Sequence, residues 1–237
     1  MNHSYQDALA FIGMEGAHPG GFDLTKQLLS QEKIDRSSLI LDAGCGTGQT
    51  SYYLAKTFHC QVSALDIHPE MIKQAKMRFQ KSNVKVNLFT NSVEAMPFDN
   101  DHFDFIIAES TTAFTDIQKS LREYHRVLKP GGTLLTIDMT AEASLDVQQK
   151  KELITFYHLT DILTEAEWLS SLKQHAFSNL KILKSNTVLE ELMQSPLSDS
   201  RLVPLPQSVD RIMQEHYRLI LTYGNHLGYR VYRANKA

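Results

Sequence analysis

Apolar positions along this chain come in two spacings. Runs such as Leu39-Ile40-Leu41 and Phe105-Ile106-Ile107-Ala108 are nearly continuous, as strands covered on both faces require. Between them, apolar residues recur at helical intervals: Leu54, Ala55 and Phe58, then Met71, Ile72, Ala75 and Phe79, then Leu121, Tyr124 and Leu128. The pattern predicts strands at 39–41, 62–67, 84–89, 103–108, 133–139, 179–183 and 227–233. It predicts helices at 5–12, 24–29, 50–58, 69–79, 117–128, 141–158, 164–176 and 210–223. Strands alternating with helices mean an α/β architecture with a mostly parallel sheet. Local signals set several boundaries. Asp23 suits an N-cap, Pro69 the first turn of a helix, and Thr164 with Glu167 a capping box. Gly131-Gly132 ends a helix and feeds the fifth strand. The loop 13–21 holds four glycines and a proline; it is either a plain connector or a cover over a pocket. The stretch 190–208, with Pro196, Pro204 and Pro206, reads as connection.

One stretch, 38–50, carries chemistry. An apolar strand leads to Asp42, then Gly44, Gly46 and Gly48, then a helix. A nucleotide-type cofactor needs this strand, tight turn and helix at the edge of a parallel sheet. Glycine lets the backbone approach a ligand closely. The spacing is G-x-G-x-G rather than the G-x-G-x-x-G of a dinucleotide site. Asp66 closes the second strand, where a carboxylate can accept from both hydroxyls of a ribose. NAD and S-adenosylmethionine sites share that geometry. Glu109 and Ser110 follow the fourth strand, and ligands of open α/β sheets lie beyond the carboxyl ends of strands.

Three phrases then carry a resemblance: Leu-Asp-Ala-Gly-Cys-Gly-Thr-Gly at 41–48, Ala-Leu-Asp-Ile-His-Pro-Glu-Met at 64–71, and Arg-Val-Leu-Lys-Pro-Gly-Gly-Thr-Leu at 126–134. Together they resemble class I S-adenosylmethionine-dependent methyltransferases, of the small-molecule type that includes ubiquinone/menaquinone-biosynthesis enzymes. The resemblance spans about 39–139. It implies a Rossmann-like, seven-stranded, mostly parallel sheet with helices on both faces and a small helical lid. It implies one domain over 1–237, with a core at about 30–186 and 227–237 and lid segments at about 1–29, 141–163 and 187–226. The cofactor is then S-adenosylmethionine, with S-adenosylhomocysteine as product. Carried over residue by residue, Gly44, Cys45, Gly46 and Gly48 surround the methionine part, and Asp42 orients the loop or reaches the ammonium through water. Asp66 holds the ribose, Ile67 packs on the adenine, and Ser92 and Val93 meet its edge, while Glu94 braces that loop. Glu109 lies where the methyl and the acceptor meet. Glu109 and His18 are the candidate catalytic bases, with Asp138 and His158 behind them. His68 is read as a turn residue near the cofactor's rim, and His125 as a packed or capping histidine.

Composition narrows the acceptor. The net charge is −3 over 237 residues, without a dense basic stretch, so no nucleic-acid partner is expected. The strand-four sequence lacks the Asp/Asn-Pro-Pro-Tyr phrase of enzymes that methylate base amino groups. No run is long enough to span a bilayer, and Cys45 and Cys60 make neither a metal nor a disulfide pattern. A cytoplasmic protein without a bound metal is expected, acting on a small organic acceptor; a homodimer is compatible with this. Two other classes remain: a non-catalytic S-adenosylmethionine-binding protein and an NAD-dependent oxidoreductase.

Overall fold

The computed structural model describes residues 4–14, 16–194 and 205–237. Pro196 and Pro204, read above as part of a connection, lie outside the described residues. Seven strands form one sheet in the order β3-β2-β1-β4-β5-β7-β6. They are β1 (Leu39–Ala43), β2 (Gln61–Asp66), β3 (Asn87–Thr90), β4 (Phe103–Glu109), β5 (Leu128–Ala141), β6 (Phe177–Thr187) and β7 (Leu227–Lys236). Strand β1 pairs in parallel with β2 and β4, and β7 runs antiparallel to both β5 and β6.

The pleat sends neighbouring residues to opposite faces, so each strand feeds two cores. Ile40, Ile107 and Leu135 pack with Leu24, Leu28 and Leu54, from α2 (Gly21–Ser30) and α3 (Gln49–Thr57). Leu41, Ile106 and Leu134 pack on the other face with Leu121 and Tyr124 of α5 (Ile117–Val127) and Trp168 of α7 (Glu165–Gln174). Burying one such leucine or isoleucine contributes about 1.5–3 kcal/mol. Trp168 also donates its indole N–H to the Met139 carbonyl at 3.1 Å, fixing α7 to β5. Its helix starts on the expected capping box of Thr164 and Glu167.

Several predicted boundaries move, each for a local reason. Helix α2 starts at Gly21, with Gly20 at the N-cap, and Asp23 lies in the first turn paired with Lys26. Strand β3 starts at Asn87 rather than at 84, because Asn83 turns left-handed and the Val84 N–H bonds back to the Phe79 carbonyl, closing α4 (Pro69–Ser82). The expected helix at 141–158 begins only at Val147, since β5 runs on to Ala141; α6 (Val147–Tyr157) is started by an Asp146–Gln149 capping box. The expected connection after 190 contains α8 (Val188–Gln194). Side-chain contacts hold that short helix to β6 and β7: Glu191 accepts from Lys184 and Asn186 at 3.0 Å each and from the Tyr229 hydroxyl at 2.6 Å. Helix α9 (Gln207–Tyr223) packs Val209 and Met213 against Ala8 of α1 (Tyr5–Ile12). No helix among the described residues is long and apolar enough to cross a membrane.

Candidate active site

A cavity of about 990 Å³ opens beyond the carboxyl ends of β1, β2 and β4. Its floor is the glycine loop. Gly44 and Cys45 both donate to the Leu65 carbonyl, at 2.7 and 2.9 Å, which ties the loop to the end of β2. Gly44 has φ +80°, and a Cβ there would collide with Thr111. Gly48 has φ +78°, and a Cβ would lie 2.6 Å from the Phe79 ring. At these two positions the chain requires glycine on both conformational and steric grounds.

Asp66 accepts from the Gly46 N–H at 2.9 Å and the His68 N–H at 2.8 Å, one bond to each carboxylate oxygen. Those bonds aim the side chain at the cavity and leave a lone pair free on each oxygen. Burial pushes its carboxyl above the usual range, against the pull of the two N–H donors. Asp42 is buried beneath the loop and accepts from the Ser51 hydroxyl at 2.5 Å. Burial, with the charge of Glu109 next in weight, pushes Asp42 up to about 7. Ile67, largely exposed, and the buried Val93 both line the cavity, as does Ser92, whose hydroxyl accepts from the Glu94 N–H at 3.1 Å. Glu94 accepts from the Asp116 N–H at 2.9 Å and so braces its loop, as expected. Cys45 is buried in the floor, and burial holds its thiol well above its ordinary range, so it stays neutral.

Glu109 and His18, far apart in sequence, come together. Glu109 accepts from the Thr25 hydroxyl of α2 and from the Thr50 hydroxyl of α3, the latter at 2.6 Å. His18 Nε2 lies 3.5 Å from Glu109 Oε1 and 3.1 Å from Thr25 Oγ1. Their side chains are only 5% and 12% exposed, so the pair is desolvated yet borders the cavity. Residues 16–21 of the glycine-rich loop line the same space. Next to Glu109, Ser110 takes φ +49°, a left-handed turn uncommon for a residue with a side chain.

Two candidate bases fare differently. His158 lines the cavity as the exposed C-cap of α6. Asp138 does not line it: the carboxylate is fully buried behind the turn Thr112–Phe114, bonded to the Ala113 N–H at 3.0 Å and to the Thr136 hydroxyl. It holds that turn in place and is closed off from any substrate. His68 caps α4 and pairs with Asp7 at 3.1 Å, which docks α1 beside the cavity. His125 stands edge-on to Phe177, a packing role. No cluster of three or more metal-ligating side chains occurs among the described residues.

The opposite wall went unread in the sequence. Tyr5 of α1, Tyr157 of α6 and His216 of α9 line it together. Tyr5 stacks on His216 with ring centres 4.9 Å apart and meets Tyr157 edge-on at 5.0 Å. The Tyr157 hydroxyl and His216 Nδ1 are hydrogen-bonded at 2.9 Å. Burial pushes His216 down to about 4, so its ring is neutral at physiological pH. Nothing in local spacing marks these residues. The floor and this wall thus differ in charge, and a ligand with a cationic end suits the floor.

A family model described as "Methyltransferase domain" matches residues 40–132. The uncharacterised methyltransferase YodH of Bacillus subtilis (strain 168) is 31% identical over 236 residues, covering 98% of this chain and 99% of that one. Among solved structures, Haemonchus contortus phosphoethanolamine N-methyltransferase 2, in complex with phosphomonomethylethanolamine and S-adenosylhomocysteine, superposes with a TM-score of 0.80. Identity there is 19%, and the match covers 98% of this chain but 56% of that one. The geranyl diphosphate C-methyltransferase of Streptomyces coelicolor A3(2), in complex with Mg2+, geranyl-S-thiolodiphosphate and S-adenosylhomocysteine, superposes at 0.69 with 15% identity, over 92% of this chain and 76% of that one.

Proposed function

The chain belongs to the class I S-adenosylmethionine-dependent methyltransferases, and on that premise we propose that it moves a methyl group to a small organic acceptor by in-line displacement. The observation that carries this reading is the convergence of three carboxylates, Asp42, Asp66 and Glu109, on one glycine loop, where the charges of Glu109 and Asp66 both raise Asp42. S-adenosylmethionine brings an ammonium and a sulfonium to such a floor and relieves the repulsion. A dinucleotide would bring two phosphate anions to it, which argues against the NAD reading.

In this proposal Asp66 takes the ribose hydroxyls on its free lone pairs, and Ile67, Ser92 and Val93 border the adenine. The backbone of Gly44, Cys45, Gly46 and Gly48 packs on the methionine part, and Asp42 acts on its ammonium through water. The bound cofactor supplies a methyl already activated by positive sulfur. The residues around it hold the acceptor close, aligned and dry, an arrangement that contributes up to about 7–11 kcal/mol in favourable cases. The acceptor's lone pair bonds to the methyl carbon as the carbon–sulfur bond breaks, its electrons staying on sulfur. A proton lost from the acceptor passes to Glu109 at the end of β4 or to His18 beside it.

We propose residues 1–237 as one domain. The lid segments 1–29, 141–163 and 187–226 are supported by Tyr5, Tyr157 and His216, one from each, on the wall facing the loop. A cytoplasmic setting is supported by two free, buried cysteines. A homodimer stays in the proposal, with its mass in solution as the check. The test uses purified protein, methyl-labelled S-adenosylmethionine and a host-cell extract separated by size. Label entering the small-molecule fraction, and not with Asp66→Ala, is the expected result. Label confined to protein or RNA would overturn the acceptor class.

A further inference from the structure

We infer that the acceptor seat is built for an uncharged, largely apolar molecule presenting one hydroxyl or amino group, and that it rejects acceptors carrying phosphate. This rests on the glycine-loop end being the cofactor seat. Six carboxylates line the cavity, Asp23, Asp42, Asp66, Glu94, Glu109 and Glu191, and no lysine or arginine does so among the described residues. Phosphate is ordinarily held by arginine or lysine, in charge-assisted hydrogen bonds. Here a phosphate would face carboxylates with no lysine or arginine among the described residues to offset them.

The wall opposite the cofactor seat points the same way. Tyr5, Tyr157, Tyr217, Leu192 and Ile220 line it, so its surface is rings and aliphatic chains. Glu191, next to Leu192 on α8, is already occupied by Lys184, Asn186 and Tyr229, so it is not available to a cationic acceptor. His216 brings no charge, because burial holds it neutral. The Tyr157–His216 pair supplies a polar anchor among these rings. Its single mutual bond of 2.9 Å leaves a lone pair on the phenol oxygen and the second ring nitrogen of His216. That is enough to fix one hydroxyl or amino group. The two solved neighbours described above hold phosphorylated ligands; the lining here selects against such compounds.

The test uses a matched pair of probes, 2-naphthol and 2-naphthyl phosphate, which share a ring system and differ by the phosphate. Both are titrated by fluorescence into protein saturated with S-adenosylhomocysteine. We expect saturable binding of naphthol, at least tenfold tighter than naphthyl phosphate. Tyr157→Phe should weaken naphthol at least threefold without changing the S-adenosylhomocysteine affinity. Leu192→Lys, which adds a cation to the wall and removes no anchor, should raise the affinity for naphthyl phosphate. Equal or tighter binding of naphthyl phosphate to the unaltered protein, or no saturable naphthol binding, would overturn the inference. S-adenosylhomocysteine is titrated alone first. Failure of that step refutes the cofactor reading, and the same probe ratio on the free protein then decides the acceptor question separately.

Discussion

At the glycine-loop end of the cavity the contacts that shape the loop itself are local, although Glu109 reaches Thr50 and Thr25 across 59 and 84 positions. Asp42 reaches Ser51 across 9 positions and Gly46 reaches Asp66 across 20. At the opposite wall, Tyr157 meets His216 across 59 positions, and its carbonyl accepts from Gln6 across 151. The first end is anionic and set by backbone geometry. The second is neutral and set by the docking of three helices, α1, α6 and α9. In the proposed division the contrast separates two tasks: the cofactor takes the strand-anchored floor, and acceptor choice falls to the elements added around it.

The contrast breaks hardest at Gly44. Gly44→Ala forces a Cβ into Thr111 at a φ of +80° and should weaken S-adenosylhomocysteine binding at least about 100-fold, near 2.7 kcal/mol, by calorimetry. Asp66→Ala removes the proposed ribose acceptor and should cost at least about tenfold, or roughly 1.4 kcal/mol, in the same measurement. The pH dependence is smaller. Burial, then the charge of Glu109, pushes Asp42 up to about 7, and a cation beside it favours its ionised form. Binding below that pH must therefore release the Asp42 proton, so affinity falls as the pH falls. Between pH 7 and pH 6 the loss should be about fivefold by proton linkage, and Asp42→Asn should flatten it. The smallest effect belongs to the far wall: Tyr157→Phe should leave cofactor affinity within about twofold, because distant sites act independently. A large loss there would merge the two ends into one.

The same difference decides what could be read from the sequence. The strands and the glycine loop were legible because continuous apolar runs and G-x-G-x-G are local signals. Asp66 and Glu109 were legible as strand ends. Thr25 and Thr50, which hold Glu109, were not, since a hydroxyl on a helix has no distinguishing spacing. Asp138 looked catalytic because it lies near a strand end, but its side chain turns inward beneath Ala113. The Tyr5–Tyr157–His216 wall was illegible because only the tertiary packing of α1 on α9 brings it together. Helix α8 was missed although it carries a local signal, the Thr187 hydroxyl accepting from the Glu190 N–H at 3.2 Å.

The most direct measurement is a crystal structure of the protein with S-adenosylhomocysteine. We expect the ribose hydroxyls within hydrogen-bond distance of Asp66, the adenine against Ile67 and Val93, and the sulfur between Glu109 and the Tyr157–His216 wall. A ribose held away from Asp66, or a sulfur facing away from that wall, would contradict the division of the cavity into a carboxylate floor for the cofactor and a neutral wall for the acceptor.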